Sequence, residues 1–582
     1  MSTIEVEKNI TAEQNEVYSG EPSVVDQDET GVPSGYWKSY RFIGSIAAIT
    51  LLANNTFIAY SMPVNVLAVI NADIGPDPNI ALVSLLFVTL KGLLMLLVGS
   101  LSDIMGRRWF LIGSQSIGFI GFCIAAKAAS VNGLIGASAV IAVAGSCHDL
   151  YPPLTLELLP NKYRGYGQAA MTVAVMPTLG LGPVFARMMV QNTALGWRSI
   201  YWLGAASTGT SVLLFALCYF PPGFEQLTHG KSRKQQIKDL DYVGFFLYAL
   251  GLIGIMLSLG WGGGTYPWAS AQVIALLAVG VVSIAAFILY ECYRPLATPL
   301  VPMKLFKIRD FSVAVVVGSV GQMAYYALNI IWPGQIANLY TVDNLKIGWL
   351  SSIVGIALIA GEVVAGAILK KAPLVKYHMI FSVSGLLVFN GLASLGNSDR
   401  EGLATGMTFM TSFFVGWIEC VAIVVASLVI PPENIGVGCA FFASTRAITG
   451  SIAAAVYVAI QNNTFASDLP KRIQVAASAA NIPADQVPTI ITTIQTATVA
   501  GLAKLGLTPE VMASLVAATN LANVQAYYVT YLSALAFAGC ALVAACFASN
   551  NLNHIFTSFL NKTVDAPHLE AELEKKHEQQ HV

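Results

Sequence analysis

The sequence predicts an all-α integral membrane protein with fourteen spans, on three observations. Only 11% of its 582 residues are charged and 55% are hydrophobic. A soluble globular chain carries about 25% charged residues. Mean hydropathy is +0.65. Fourteen apolar runs follow one another, each able to supply the roughly 20 residues that a bilayer requires. The polar connections between them are unequal in positive charge from one side to the other. A net charge of −1 leaves no basic footprint for nucleic acid. The eight cysteines fall in or beside apolar runs without metal-ligand spacing. They read as small hydrophobes, so neither a metal site nor a disulfide framework is predicted.

Taken in order, the first 35 residues are acidic and polar, with too little apolar surface to bury. Residues 1–41 are expected to form a disordered cytoplasmic arm without a cleavable signal, leaving the first span to direct insertion. The spans are placed at 42–68, 81–100, 109–128, 133–156, 167–190, 199–220, 242–262, 270–291, 312–337, 346–370, 376–396, 404–430, 434–460 and 526–549. The sequence Gly262-Gly263-Gly264 with Tyr266-Pro267 marks the turn between spans 7 and 8. With the N-terminus inside, the inner loops hold 15 Lys and Arg residues and the outer loops 7, three of these in one long loop. This bias places both termini in the cytoplasm. The one long outer loop, 461–525, is rich in Ala and Thr. Its Thr508-Pro509-Glu510 reads as a helix start leading into span 14. Asn462 heads the sequon Asn462-Asn463-Thr464 and is a glycosylation candidate. Residues 551–582 form a charged cytoplasmic tail.

Neither a P-loop, a nucleophile elbow nor a metal cluster occurs, so no enzyme is predicted. With no nucleotide site or cofactor, energy is expected from an ion gradient rather than ATP. Ionisable residues in lipid cost about 2.5–3.5 kcal/mol each on insertion scales. Six lie well inside spans: Lys91, Asp149, Arg187, Glu362, Glu419 and Arg446. They should face a cavity or the bundle interior. Asp149, in His148-Asp149-Leu150-Tyr151-Pro152-Pro153, is the first candidate for proton coupling, because the prolines loosen the helix beside it. The other reading of Asp149 is a permanent salt bridge with Lys91. Glu362 and Glu419 are further proton-coupling candidates or else polar packing groups. Arg446 either neutralises one of those acids or meets an anionic substrate group. His148 alone is weaker evidence for proton transfer. Asn54, Ser61 and Asn65 share one face of span 1. Gln322, Tyr326, Asn329 and Pro333, with Tyr325 beside them, do the same in span 9. Both faces read either as a substrate pathway of amides and phenols or as interhelical glue.

Between the second and third runs stands Gly99-Ser-Leu-Ser-Asp103-Ile-Met-Gly106-Arg107-Arg108. Its glycines allow a tight turn and its arginines hold the loop inside. Glu157 and Arg164, in the loop after span 4, could complete an ion-pair network with Asp103, Arg107 and Arg108. The decamer resembles the loop signature of the major facilitator superfamily, where it latches the cytoplasmic gate. Three further segments add to this: Glu157–Gly165, Leu181-Gly182-Pro183 through Arg187, and Asn192 through Trp197-Arg198. Together these segments resemble the fungal fourteen-span major facilitators. Among those, the chain is most similar to the trichothecene efflux pump family, related to the fungal siderophore–iron transporters.

The resemblance runs from about residue 35 to 550. It implies the major facilitator fold: six-helix bundles at 42–220 and 311–550, with spans 7 and 8 inserted within 221–310. It also implies alternating access around a central site and proton coupling. Gly180, Gly182 and Pro183 resemble the antiporter motif of span 5, but Ala186-Arg187 stands where the family has a double glycine. The arginine that many drug–proton antiporters carry early in span 4 is absent from Gly136–Val140, which turns attention to Asp149. The expected protein is a monomeric, proton-coupled exporter of a small fungal metabolite, toxin or drug in the plasma membrane. The alternatives are a siderophore–iron importer driven by proton symport, a nutrient-sensing transceptor, and a vacuolar or vesicle location.

Overall fold

The computed structural model describes residues 36–549, apart from 160–163, 221–236, 239, 264, 295–298, 302, 373, 431–434, 481, 484–485 and 498–507. The expected N-terminal arm up to residue 35 and the tail 551–582 lie outside the described residues. Among the described residues, thirteen helices are long and apolar enough to cross a membrane. Twelve of them match predicted spans 2–4 and 6–14 in order, beginning with Leu82–Met105, Arg107–Ala126 and Val131–His148. The thirteenth is span 1, in which Tyr40–Ala59 is followed by the short helix Ser61–Val64. The face where span 1 starts is called proximal below, and the opposite face distal.

Three spans expected as single helices are broken, each beside proline or glycine. Span 1 breaks at Tyr60, beside Pro63, and again at Val66 before a short distal helix, Leu67–Ile74. Span 4 ends at His148 and resumes as Tyr151–Leu158, with Pro152 and Pro153 in the first turn of the second piece, where proline is tolerated. Span 5 is three pieces, Arg164–Ala174, Met176–Leu179 and Gly182–Asn192. Pro177 and Pro183 sit in the first turns of its second and third pieces. None of these pieces is long enough to cross alone, and span 5 is therefore the fourteenth passage.

The segment expected as a long loop is largely helical, which corrects that reading. Span 13 continues to Ala479 in a helix of 45 residues, Val487–Ala497 is a separate helix, and Pro509–Cys546 runs into span 14 as a helix of 38 residues. Their distal parts bury Leu469, Ile473, Ile490, Ile494 and Leu515 against one another. Apolar positions spaced one helical turn apart supply this small core. An Ala- and Thr-rich composition had hidden it. Thr508 does precede the last helix in an extended conformation, with Pro509 in the first turn, although its side chain makes no capping bond.

Spans 1–6 pack among themselves, as do spans 9–14. The two groups meet along two seams, span 2 with span 13 and span 5 with span 10. Spans 7 (Tyr242–Trp261) and 8 (Ala271–Tyr293) form a tight pair, and span 7 lies along both spans 2 and 13. The turn joining them uses Gly263 at φ 76°, whose N–H donates to Tyr266 O at 2.9 Å. Within the second group, spans 10 (Asn344–Lys371) and 12 (Glu401–Val429) approach backbone to backbone. A Cβ on Gly361 would run into the Phe413 carbonyl, and one on Gly416 into the Leu358 carbonyl. Small residues permit such approach, and dispersion then holds the helices where no hydrophobic effect operates between them. We expect Gly416→Leu to force spans 10 and 12 apart at a cost of about 1–3 kcal/mol. The midpoint of thermal denaturation in detergent should fall by several degrees, and an unchanged midpoint would show that this contact is slack.

Candidate functional site

The contact between spans 10 and 12 has a chemical consequence. Glu362 follows Gly361 and Glu419 stands three residues after Gly416, so the two acids face a common space. Asp149, Glu362 and Glu419 each lie 18 residues beyond the distal start of their own helices. All three, together with Arg446, act electrostatically on the buried Tyr151 hydroxyl. One charged centre therefore draws on spans 4, 10, 12 and 13.

Its ion pairs form within each half. Lys91 Nζ is 3.0 Å from Asp149 Oδ1, with Lys91 buried and Asp149 partly exposed. Arg446 Nη2 is 2.7 Å from Glu419 Oε1 and donates to Gln322 Oε1 at 2.7 Å. Its guanidinium carbon also lies 5.2 Å from the Phe442 ring centroid. Glu362 forms no ion pair among the described residues. Of the readings left open by the sequence, the Lys91–Asp149 bridge and the Arg446–acid pair are both formed. His148 is fully buried, with Nε2 3.3 Å from Gln115 Oε1 on span 3.

Distal to these charges the halves close. Tyr60 at the break in span 1 meets Tyr326 of span 9 edge to face, with centroids 5.0 Å apart, and Tyr326 also touches Tyr325. Gly450 lets span 13 approach the Tyr326 ring. Along the seam of spans 2 and 13, Thr89 and Ser451 hydroxyls are 2.8 Å apart and Ser451 also donates to Leu85 O, while Ser444 Oγ, one step to the proximal side of Arg446, donates to Gly92 O at 2.5 Å. Every one of these contacts is between neutral groups.

The expected pathway residues are placed as follows. Asn54 of span 1 bonds across to span 5, donating to Ala174 O and accepting from Thr178 Oγ1 at 2.6 Å. Ser61 and Asn65 are buried, and Asn65 Nδ2 donates to Ser61 O at 2.8 Å. Gln322 is taken by Arg446, and Asn329 Nδ2 donates to Tyr325 O at 2.9 Å. The Tyr325 hydroxyl is buried beside Asn329. Gly180 and Gly182 flank the last break of span 5 and Pro183 starts its distal piece, so this motif marks an interruption rather than a straight helix.

In the loop signature, Gly106 takes φ 87°, which glycine adopts without a Cβ clash. Arg107 opens span 3. Arg108 Nη2 donates to Ala216 O at 2.6 Å and its guanidinium lies 3.9 Å from the Phe220 ring centroid, capping the end of span 6. Gly99 and the side chains of Asp103, Glu157 and Arg164 lie outside the described residues. Asn462 is exposed on the helix that continues span 13. In the segment ending in Trp197-Arg198, both side chains donate to Asp73 Oδ2, at 2.9 and 2.7 Å. These bonds, Trp197 first, hold the Asp73 carboxyl below its ordinary range. The clasp is therefore intact near neutrality and is lost as pH falls through that lowered range. Tyr60, Tyr151 and Asn344 were not singled out by the sequence, because their roles depend on partners across the two halves.

Residues 21–573 match the family described as the fungal trichothecene efflux pump (TRI12). The chain belongs to that family. It is a multi-pass membrane transporter of the major facilitator fold and not an enzyme. It is 28% identical over 474 residues to the trichothecene efflux pump TRI12 of Trichoderma arundinaceum, covering 80% of this chain and 78% of that one. Its counterpart from Fusarium sporotrichioides is 29% identical over 460 residues, with 78% and 76% covered. The MFS-type transporter prx5 of Penicillium rubens is 26% identical over 448 residues, with 76% and 80% covered. A bacterial homologue of the lysosomal transporter Spinster, solved inward-facing and unoccupied, shares the fold with a TM-score of 0.53 at 13% identity, covering 88% of this chain and 98% of that one.

Within this transporter, Lys91→Ala strands a carboxylate and should cost about 3 kcal/mol. Adding Asp149→Asn should restore at least half of the lost thermal stability. A double variant as unstable as the sum of both singles would show that the two groups do not interact.

Proposed function

We propose that the transporter exports a fungal secondary metabolite in exchange for protons, by alternating access around the centre formed by Asp149, Glu362, Glu419 and Arg446. Family membership supports efflux and the trichothecene pumps among its relatives support the metabolite class. The excess of Lys and Arg in the proximal loops supports a cytoplasmic proximal face and an extracellular distal one. Export at the plasma membrane is the reading that joins this orientation to the efflux of the family.

The single observation that carries proton coupling is the unequal treatment of three acids in one centre. Asp149 and Glu419 each hold a cation at 3.0 Å or less. Glu362 faces Glu419 and holds none among the described residues. Two carboxylates sharing a site without a second cation are costly in a membrane, and one proton removes that cost. Glu362 is therefore assigned the exchanged proton. Asp149 and Lys91 stay together as an internal pair of the first half. Tyr151, Tyr325 and Tyr326 border the same space and offer phenol faces and hydroxyls to an amphipathic ligand.

The test uses inside-out vesicles, a panel of labelled trichothecenes and an imposed proton gradient. Glu362→Gln should lower gradient-driven uptake at least tenfold while leaving substrate counterflow, which needs no net proton movement, within about twofold. Gradient-driven uptake at the normal rate would remove Glu362 from the proton path, and uptake indifferent to a protonophore would remove proton coupling itself. Tyr326→Ala should reorder the preference among the labelled substrates. An unchanged order would take Tyr326 out of the substrate's path.

A further inference from the structure

Among the described residues, Arg187 is the one cation deep in a span that pairs with no acid. It sits on the distal piece of span 5, buried to 7% exposure, and forms no ion pair among the described residues. Its guanidinium is held by neutral oxygens from two other helices. Nη1 donates to Asn344 Oδ1 at 2.6 Å and Nη2 to Asn65 O at 2.8 Å, while Asn344 Nδ2 donates back to Arg187 O at 3.3 Å. Asn65 closes the short helix after the break in span 1, where the backbone ladder is interrupted and a carbonyl can turn sideways. Asn344 is the first residue of span 10. Arg187 thus joins spans 1, 5 and 10, and its link to Asn344 crosses from one half to the other.

The seam beneath it is built for close contact. On span 10, Gly348, Ser352 and Gly355 recur at one-turn spacing and face span 5. A Cβ on Gly348 would come within 2.9 Å of Val184 Cα, and one on Gly355 would run into the Leu179 carbonyl. Ser352, fully buried, accepts from Val184 N at 3.3 Å. These contacts are small and neutral, and Arg187 adds the only charged group to them.

We propose that Arg187 is a gating residue that latches the distal side of this transporter. It holds spans 1, 5 and 10 together while the site is closed to the distal face. Because its partners are neutral, release leaves no acid stranded in the seam, and distal water replaces the Asn344 amide oxygen as the halves part, while the bond to Asn65 O stays within the first half. The latch rests on the alternating-access reading but on no particular substrate or coupling ion.

The test is accessibility of the seam in the full-length protein. Ser352→Cys supplies a reporter thiol, and a membrane-impermeant thiosulfonate is added to right-side-out or inside-out vesicles, with the protein lacking the reporter as background. Arg187→Ala and Asn344→Ala should each raise the labelling rate from the distal face three- to tenfold. Arg187→Lys, whose single ammonium cannot reach both oxygens in the same fork, should fall between. Combining Arg187→Ala with Asn344→Ala should add little to either alone. Unchanged distal labelling in both alanine variants would overturn the latch and leave Arg187 a packing residue. If Arg187→Ala fails to reach the membrane, Asn344→Ala decides the matter, since it removes one acceptor and no charge. No substrate enters the assay, so its failure is distinct from failure of the export reading.

Discussion

Charge inside a bilayer must be compensated, and in this protein the compensation is divided between the halves rather than shared across them. Lys91 and Asp149 both belong to the first group of helices, and Arg446 and Glu419 both to the second. Removing one partner from a buried ion pair costs about 3–5 kcal/mol. A pair that bridged the halves would resist their separation by that amount in every cycle. The named contacts that do bridge them are of another kind: Ser444 to a carbonyl, Thr89 to Ser451, one aromatic edge on a face, and Arg187 to an amide. Hydrogen bonds between membrane helices average about 0.6 kcal/mol. Strong terms keep each half rigid, and weak terms set the balance between its arrangements.

Most of the architecture was legible in the sequence, because lipid imposes length and polarity on every span. The six charges within spans were legible for the same reason, since each must have a physical account. Their pairing was only half legible. Lys91 with Asp149 could be proposed from depth, but nothing along the chain distinguishes Glu362 from Glu419. The difference arises from Arg446, which reaches Glu419 and Gln322 from a third helix. Sequence order carries no signal for such a three-way meeting. Arg187 could be flagged as a departure from a motif, yet its acceptors include a backbone oxygen, which no side-chain pattern reveals.

The distal helical cap was misread for a related reason. Apolar run length is the criterion that separates span from loop, and the extensions of spans 13 and 14 fall below it. Their apolar residues, among them Leu469, Ile473 and Leu515, are instead one stripe of otherwise polar helices. A periodic pattern at 3.6 residues would have detected the stripe where mean hydropathy could not.

The interrupted helices then acquire a common explanation. Non-helical backbone at membrane depth is tolerated where protein buries it or water lines it. Here the breaks at Tyr60 to Val66 and at Val175 to Leu181, and the π-helical turn Ile336–Tyr340 after Pro333, lie at mid-membrane or toward the distal face, around the seam of spans 1, 5, 9 and 10. A continuous helix would have spent the Asn65 carbonyl on its own ladder and left Arg187 with one acceptor fewer. Where spans 10 and 12 must stay together, by contrast, the helices are unbroken and in backbone contact at Gly361 and Gly416. Interrupted segments surround the surface that must part, and continuous ones hold Glu362 and Glu419, whose spacing must not change. That division lets one half rock against the other without disturbing the charges that the rocking exposes.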